Sequence, residues 1–195
     1  MGKIRLAIIL IFISCYLINL PASSRKILSF ISVAETHTPK TLTIDASAYD
    51  KWVYVSFAEG KVVEVSNFKN DLSWDIAFHR TDIRLNGGAS GKGKGAGLET
   101  NATELNAVTL IPSSGYVSDV MDNIQVSMMK KVASPKNVKL SAWVSKTGMP
   151  PTYKISKKVY IIRLAEGRHV KIKFLNYLNT NNKGGYVKFT YLYMD

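Results

Sequence analysis

Between His169 and Phe174 the chain alternates strictly, with His169, Lys171 and Lys173 on one face and Val170, Ile172 and Phe174 on the other. A period of two is the signature of a pleated strand, because successive side chains there point to opposite faces; a helix would repeat its apolar positions every three or four residues. The same alternation, punctuated by turn residues, runs through much of the sequence. Residues 41–44, 51–57, 61–65 and 72–78 read as strands, the last with Trp74, Ile76 and Phe78 on one face. In the C-terminal third, residues 153–164, 169–174 and 186–193 read as strands separated by turns at Glu166-Gly167 and at 181–185. No amphipathic helix and no solenoid-length repeat stands out. The expected fold class is all-β, a single domain of many short antiparallel strands with long loops.

A chain of 195 residues with 46% hydrophobic and 21% charged residues can bury one sizeable core. Its net charge of +12 brings nucleic acids, membrane surfaces and small anions into consideration. The basic residues are spread along strand-like runs, as at Lys171 and Lys173, which fits a solvated sheet face. Aromatic residues are not interleaved with them as a base-stacking platform requires, so no nucleic-acid partner is expected. An anionic small ligand is the partner class that remains.

The N-terminus carries Lys3 and Arg5 ahead of an apolar run over residues 6–20, short for a membrane span and suited to a signal peptide. The organisation expected is a signal segment over 1–22, a polar lead-in over 23–40 and the β domain over 41–195. Cys15, the only cysteine, follows Phe12-Ile13-Ser14 in a loose likeness of a lipobox, where it would carry the lipid. Cleavage near Pro21-Ala22-Ser23 is the other reading. On either route the mature domain has no disulfide.

Glycines crowd the stretch 86–97, which is expected to be a loop. Gly88 to Lys94 fits the spacing of a phosphate cradle, but Gly95 stands where a magnesium-holding Ser or Thr is needed, so nucleotide binding is not expected. The three histidines, His37, His79 and His169, fall at no metal-ligand spacing. His37 and His169 are expected in solvent and His79 in a structural hydrogen bond. Ser90 lacks a nucleophile elbow, and Asp75 with Asp82 forms a carboxylate pair without other marks of a cleft. The chain is therefore not read as an enzyme.

The run Trp74-Asp75-Ile76-Ala77-Phe78-His79-Arg80, then Asp82-Ile83-Arg84-Leu85-Asn86 and the glycine stretch, resembles the central signature of the HmuY family of bacterial haem-binding proteins. Thr43-Ile44-Asp45-Ala46-Ser47 with Trp52 and Phe57, the run from Pro151 to Tyr160, and Phe189-Thr190-Tyr191 extend the likeness in order from about residue 41 to 193. The resemblance implies an all-β fold that grips haem between loops. It also implies a secreted or outer-membrane lipoprotein location, and delivery of haem to a TonB-dependent outer-membrane receptor, with host haem proteins as a further partner class. A surface β domain that binds a protein or a glycan is the alternative function.

One branch of the family uses two histidines, one just before the Pro-Thr-Tyr strand. Here that loop, Ser145-Lys146-Thr147-Gly148-Met149-Pro150-Pro151, has none, and the resemblance to a methionine-using branch makes Met149 the expected axial ligand. The second ligand is expected from Met129 or Met128. Alternation with Ile124 and Val126 would turn Met128 toward the core and Met129 outward. Met121 is expected in the core. The stretch between Lys130 and Ser141 is shorter than the family pattern.

Overall fold

The computed structural model describes residues 38–194. The expected signal segment over 1–22, Cys15 and His37 lie outside the described residues. Thirteen strands dominate: β1 (Lys40–Asp45), β2 (Val53–Ser56), β3 (Lys61–Val63), β4 (Ile76–His79), β5 (Asp82–Leu85), β6 (Ala96–Glu99), β7 (Val120–Gln125), β8 (Lys131–Lys136), β9 (Val144–Thr147), β10 (Thr152–Ile155), β11 (Val159–Arg163), β12 (His169–Leu178) and β13 (Gly184–Met194). A single helical turn, α1 (Val138–Ser141), stands between β8 and β9.

The alternation of residues 169–174 becomes β12, in the middle of a five-stranded sheet of order β1-β13-β12-β11-β6. Val170, Ile172 and Phe174 face a core shared with a four-stranded sheet of order β3-β2-β4-β5. Phe57, Phe78, Phe174, Phe189 and Tyr191 meet there at ring separations between 4.6 and 6.3 Å, in tilted or edge-on geometries. Each large side chain removed from water in this cluster contributes about 1.5–3 kcal/mol.

The opposite face of the five-stranded sheet is not the solvated surface expected from its lysines. Leu105 and Val108 pack over Val159 and Ile161, with Leu98, Ala102 and Tyr116 alongside. Lys171 is only 9% exposed beneath this cover. His169 is likewise half-buried, its ring 5.6 Å from that of Tyr116. Alternation reports that two faces differ; it cannot report that a distant segment folds over the more polar one.

Residues 153–164 form two strands rather than one. The chain breaks at Ser156-Lys157-Lys158, where the Ser156 amide bonds the Trp143 carbonyl at 2.7 Å, and β10 and β11 enter different sheets. Residues 72–75 lie outside β4, and Asp75 accepts bonds from the amides of Phe57 and Ala165 at 2.9 and 3.3 Å. At the β4–β5 turn Arg80 takes a left-handed φ of 55°, held by its guanidinium on the Ser47 carbonyl at 2.7 Å and over the Tyr49 ring.

Candidate functional site

Two hairpins stand apart from the large sheets. β7 pairs with β8, and β9 with β10, each as a sheet of only two strands. They follow one another in the chain, joined by Asn137, α1 and Trp143.

The first hairpin turns over residues 126–130. The amides of Val126 and Ser127 bond the Lys130 carbonyl, the Lys130 amide bonds the Ser127 hydroxyl, and the Gln125 side chain bonds the Met128 carbonyl at 2.9 Å. At this tip Met128 and Met129 are 84% and 99% exposed. The expectation that Met128 turns inward fails because β7 ends at Gln125, so the strand period stops before reaching it. Met121, expected in the core, is exposed as well, 59% open to solvent on a strand of this two-stranded sheet.

The second hairpin turns over residues 148–151, with Gly148 at a φ of +75° and the hydroxyls of Thr147 and Thr152 bonded at 2.9 Å across its neck. Met149 is 98% exposed at its tip. The structure thus puts Met128 and Met129 together on one tip and Met149 on the next. Exposed Lys130 and Lys131 flank the first tip, and Lys146 and Lys154 line the second. They are cations for an anionic ligand, each worth about 0–1 kcal/mol in the open.

Both hairpins are held firmly at their roots. The indole of Trp143 lies 4.5 Å from the Phe174 ring and donates to the Thr81 carbonyl at 3.0 Å, while Tyr153 packs on Tyr177 at 4.7 Å. Arg84 serves the first hairpin. Its guanidinium sits between the rings of Trp52 and Phe68 and donates to the Pro135 carbonyl, the Ser134 hydroxyl and the Tyr54 hydroxyl at 3.3, 2.8 and 3.2 Å. Lys136 ties the base of β8 to Asp82 and Asp122, both at 3.1 Å. Sequence reasoning passed over these anchors because Arg84 alternates with Ile83 and Leu85 like any strand residue with a solvent face.

His79 is 1% exposed, with Nε2 on the Tyr49 carbonyl at 2.9 Å and its ring 5.3 Å from that of Trp52. It is built into the wall of the domain, as expected of a structural histidine. Asp75 and Asp82 flank opposite ends of the β4–β5 hairpin. A cavity elsewhere is lined by Glu59, Leu72, Asp75 and Glu166; its acidic lining does not suit an anion, and no methionine reaches it.

A neutral, soft thioether at each of two exposed tips is a donor set that fits the iron of a haem, and the lysines fit its carboxylates. The comparisons bear on the same ligand. The family model for the HmuY protein matches residues 48–191. Among solved structures, a candidate HmuY-like haem-binding protein of Bacteroides vulgatus is 31% identical with a TM-score of 0.67, over 82% of this chain and 97% of that one. The apo HmuY analog of Tannerella forsythia is 28% identical with a TM-score of 0.66, over 83% and 98%. A candidate lipoprotein of Bacteroides fragilis is 27% identical with a TM-score of 0.68, over 85% and 95%. Comparison with curated proteins gives no match. With most of its length matched by the family model and its fold shared with these structures, the chain belongs to the HmuY family.

Proposed function

We propose that the protein captures haem between its two hairpin tips, with the iron held by sulfur from Met149 on one side and from Met129 or Met128 on the other. The observation that carries this reading is the exposure of three methionines on two consecutive hairpins: at 84%, 99% and 98% they are more open than any other large apolar side chain among the described residues, of which Leu110 at 79% comes next. Large apolar groups held out in water by well-anchored hairpins mark a surface that is covered when a ligand arrives. Haem supplies an apolar plate for those side chains, an iron for the thioethers and two carboxylates for the lysines beside the tips.

The place of such a protein is outside the cell, exported behind its N-terminal segment and either secreted or held at the outer membrane through a lipid on Cys15. There it would take haem from host haem proteins and pass it to a TonB-dependent outer-membrane receptor. The test is a titration of haemin into the purified protein, with and without dithionite, followed by absorbance. A Soret shift that saturates at one haem per chain is expected. Absorbance that rises without saturation in both redox states would sink the reading.

A further inference from the structure

Asp119 immediately precedes β7 and is 3% exposed. Its Oδ2 accepts from the Leu85 amide at 2.8 Å and from the Ser90 hydroxyl at 2.6 Å, and its Oδ1 accepts from the side-chain amide of Asn137 at 3.0 Å. Asn137 follows the last residue of β8, is fully buried, and caps α1 by accepting the Leu140 amide at 3.0 Å. Its backbone amide bonds the Ile83 carbonyl at 2.7 Å, and its side chain also bonds the Val117 carbonyl at 2.8 Å. One carboxyl therefore joins the foot of the first hairpin to the helical turn that leads into the second.

The glycine stretch acquires a purpose here. Gly88 has a φ of +57°, and a Cβ on it would fall 2.5 Å from the Asp119 carbonyl oxygen, so only glycine lets the loop come close enough to present Ser90 to the carboxyl. The Ala89 amide adds a bond to the Asp119 carbonyl at 3.0 Å.

We propose that Asp119, presented with Ser90 by the glycine loop, is a positioning residue that sets both methionine hairpins relative to one another. Its geometry stands by itself; its consequence for haem rests on the function proposed above.

The carboxyl is also titratable in a useful range. Burial raises its pKa from 3.8 to about 6, against the lowering effect of its three donors and of Arg84. Arg84 on β5 is the charge that acts on it; Ser90, Asn137 and the Leu85 amide are neutral donors, and Lys136 at the foot of β8 turns to Asp82 and Asp122. When protonated on Oδ2, the carboxyl donates to Ser90 and still accepts from Asn137. When ionised its bonds become charge-assisted, but a pKa raised by burial means that they do not offset the cost of the buried charge, so the tie weakens as pH rises through about 6. Thioethers hold no proton in this range, so pH acts on the proposed site through the hairpin roots rather than through its methionines.

The experiment compares the full chain with Asp119→Asn, whose amide must set one donor against another, and with Ser90→Ala. Peptide-level hydrogen exchange without haem is expected to quicken in both hairpins, over residues 120–136 and 144–155, and to stay unchanged in β11, β12 and β13. Ferrous-haem affinity is expected to fall about tenfold in Asp119→Asn and less in Ser90→Ala. In the wild type, the NMR signals of the Asn137 side-chain amide should titrate with a midpoint near 6, and the hairpins should loosen in step as pH rises through it. Exchange that quickens in one hairpin only, or in neither, overturns the proposal, as does unchanged haem affinity in a variant whose hairpins have loosened. If Asp119→Asn fails to fold, Ser90→Ala and the wild-type titration decide it by the same criteria. If the wild type takes up no haem while the variants loosen both hairpins, the haem reading falls and the tie between the hairpins stands.

Discussion

The ammonium group of Lys171 donates to the main-chain carbonyl of Val108 at 2.8 Å, beneath the segment that covers the outer face of the five-stranded sheet. The bond closes a buried acceptor and clamps that cover to the sheet. Lys171→Met keeps much of the volume but leaves the Val108 carbonyl unsatisfied, and is expected to cost about 1–3 kcal/mol in urea unfolding. Lys173→Met should cost no more than about 1 kcal/mol, because its partner Glu104 stands mostly in solvent. Equal losses from the two variants would mean that the cover is not clamped by Lys171.

Gly95 and Lys94 are neighbours with opposite expected sensitivities. A Cβ on Gly95 would fall 2.6 Å from both the carbonyl carbon and the carbonyl oxygen of Asn86, backbone atoms that cannot step aside. Gly95→Ala is expected to lower stability by more than about 2 kcal/mol. The exposed side chain of Lys94 can be cut to alanine within about 0.5 kcal/mol. Thermal unfolding of the two variants checks both values, and a harmless Gly95→Ala would undo the close-approach argument.

Stability should depend on pH through Asp119 with a definite sign. Its folded pKa of about 6 lies above the ordinary 3.8, so its contribution is complete below about pH 4 and is lost as pH rises through about 6. Asp75, also raised by burial, acts in the same sense. His169 opposes them: burial lowers its pKa, so its contribution is present above its ordinary value of 6.5 and is lost as pH falls through its folded value. The informative quantity is thus the difference between wild type and Asp119→Asn. The wild type is expected to lose more stability than the variant between about pH 4 and pH 7, measured by urea unfolding. Parallel profiles would show that Asp119 ionises in the fold as it does in the unfolded chain.

The fold class was legible because alternation and turn residues are local properties. β1, β2, β3, β12 and β13 appear close to where the period of two put them. What alternation could not show is what packs on the second face of a strand. Lys171 and Arg84 both look like solvent-facing residues in sequence; one lies under a distant cover and the other between two aromatic rings. The candidate ligands were legible through the family likeness alone, since nothing in the residues around Met149 marks it as different from a loop methionine. The supporting carboxyl at Asp119 was invisible because its partners, Leu85, Ser90 and Asn137, are up to 34 residues away in sequence.

The proposed methionine ligands can be separated from the buried histidine by redox state. Thioether sulfur is a soft donor that favours ferrous over ferric iron more than imidazole does. Haem is therefore expected to bind more tightly under dithionite than in air, the reverse of the preference expected from two histidines. Met149→Ala should lower ferrous-haem affinity by at least the ~10–100-fold that loss of a mere supporting partner costs at a metal site. Met129→Ala and Met128→Ala should differ, with the larger loss naming the second ligand, because the two side chains share one tip and need not both reach the iron. His79→Ala removes a ring packed on Trp52 and a bond to the Tyr49 carbonyl, so it should lower thermal stability while leaving the ferrous spectrum of the folded protein intact. Absorbance titrations of the four variants in both redox states make the comparison. An unchanged spectrum and affinity in Met149→Ala, together with their loss in a folded His79→Ala, would transfer the iron from the hairpin tips to the wall of the domain.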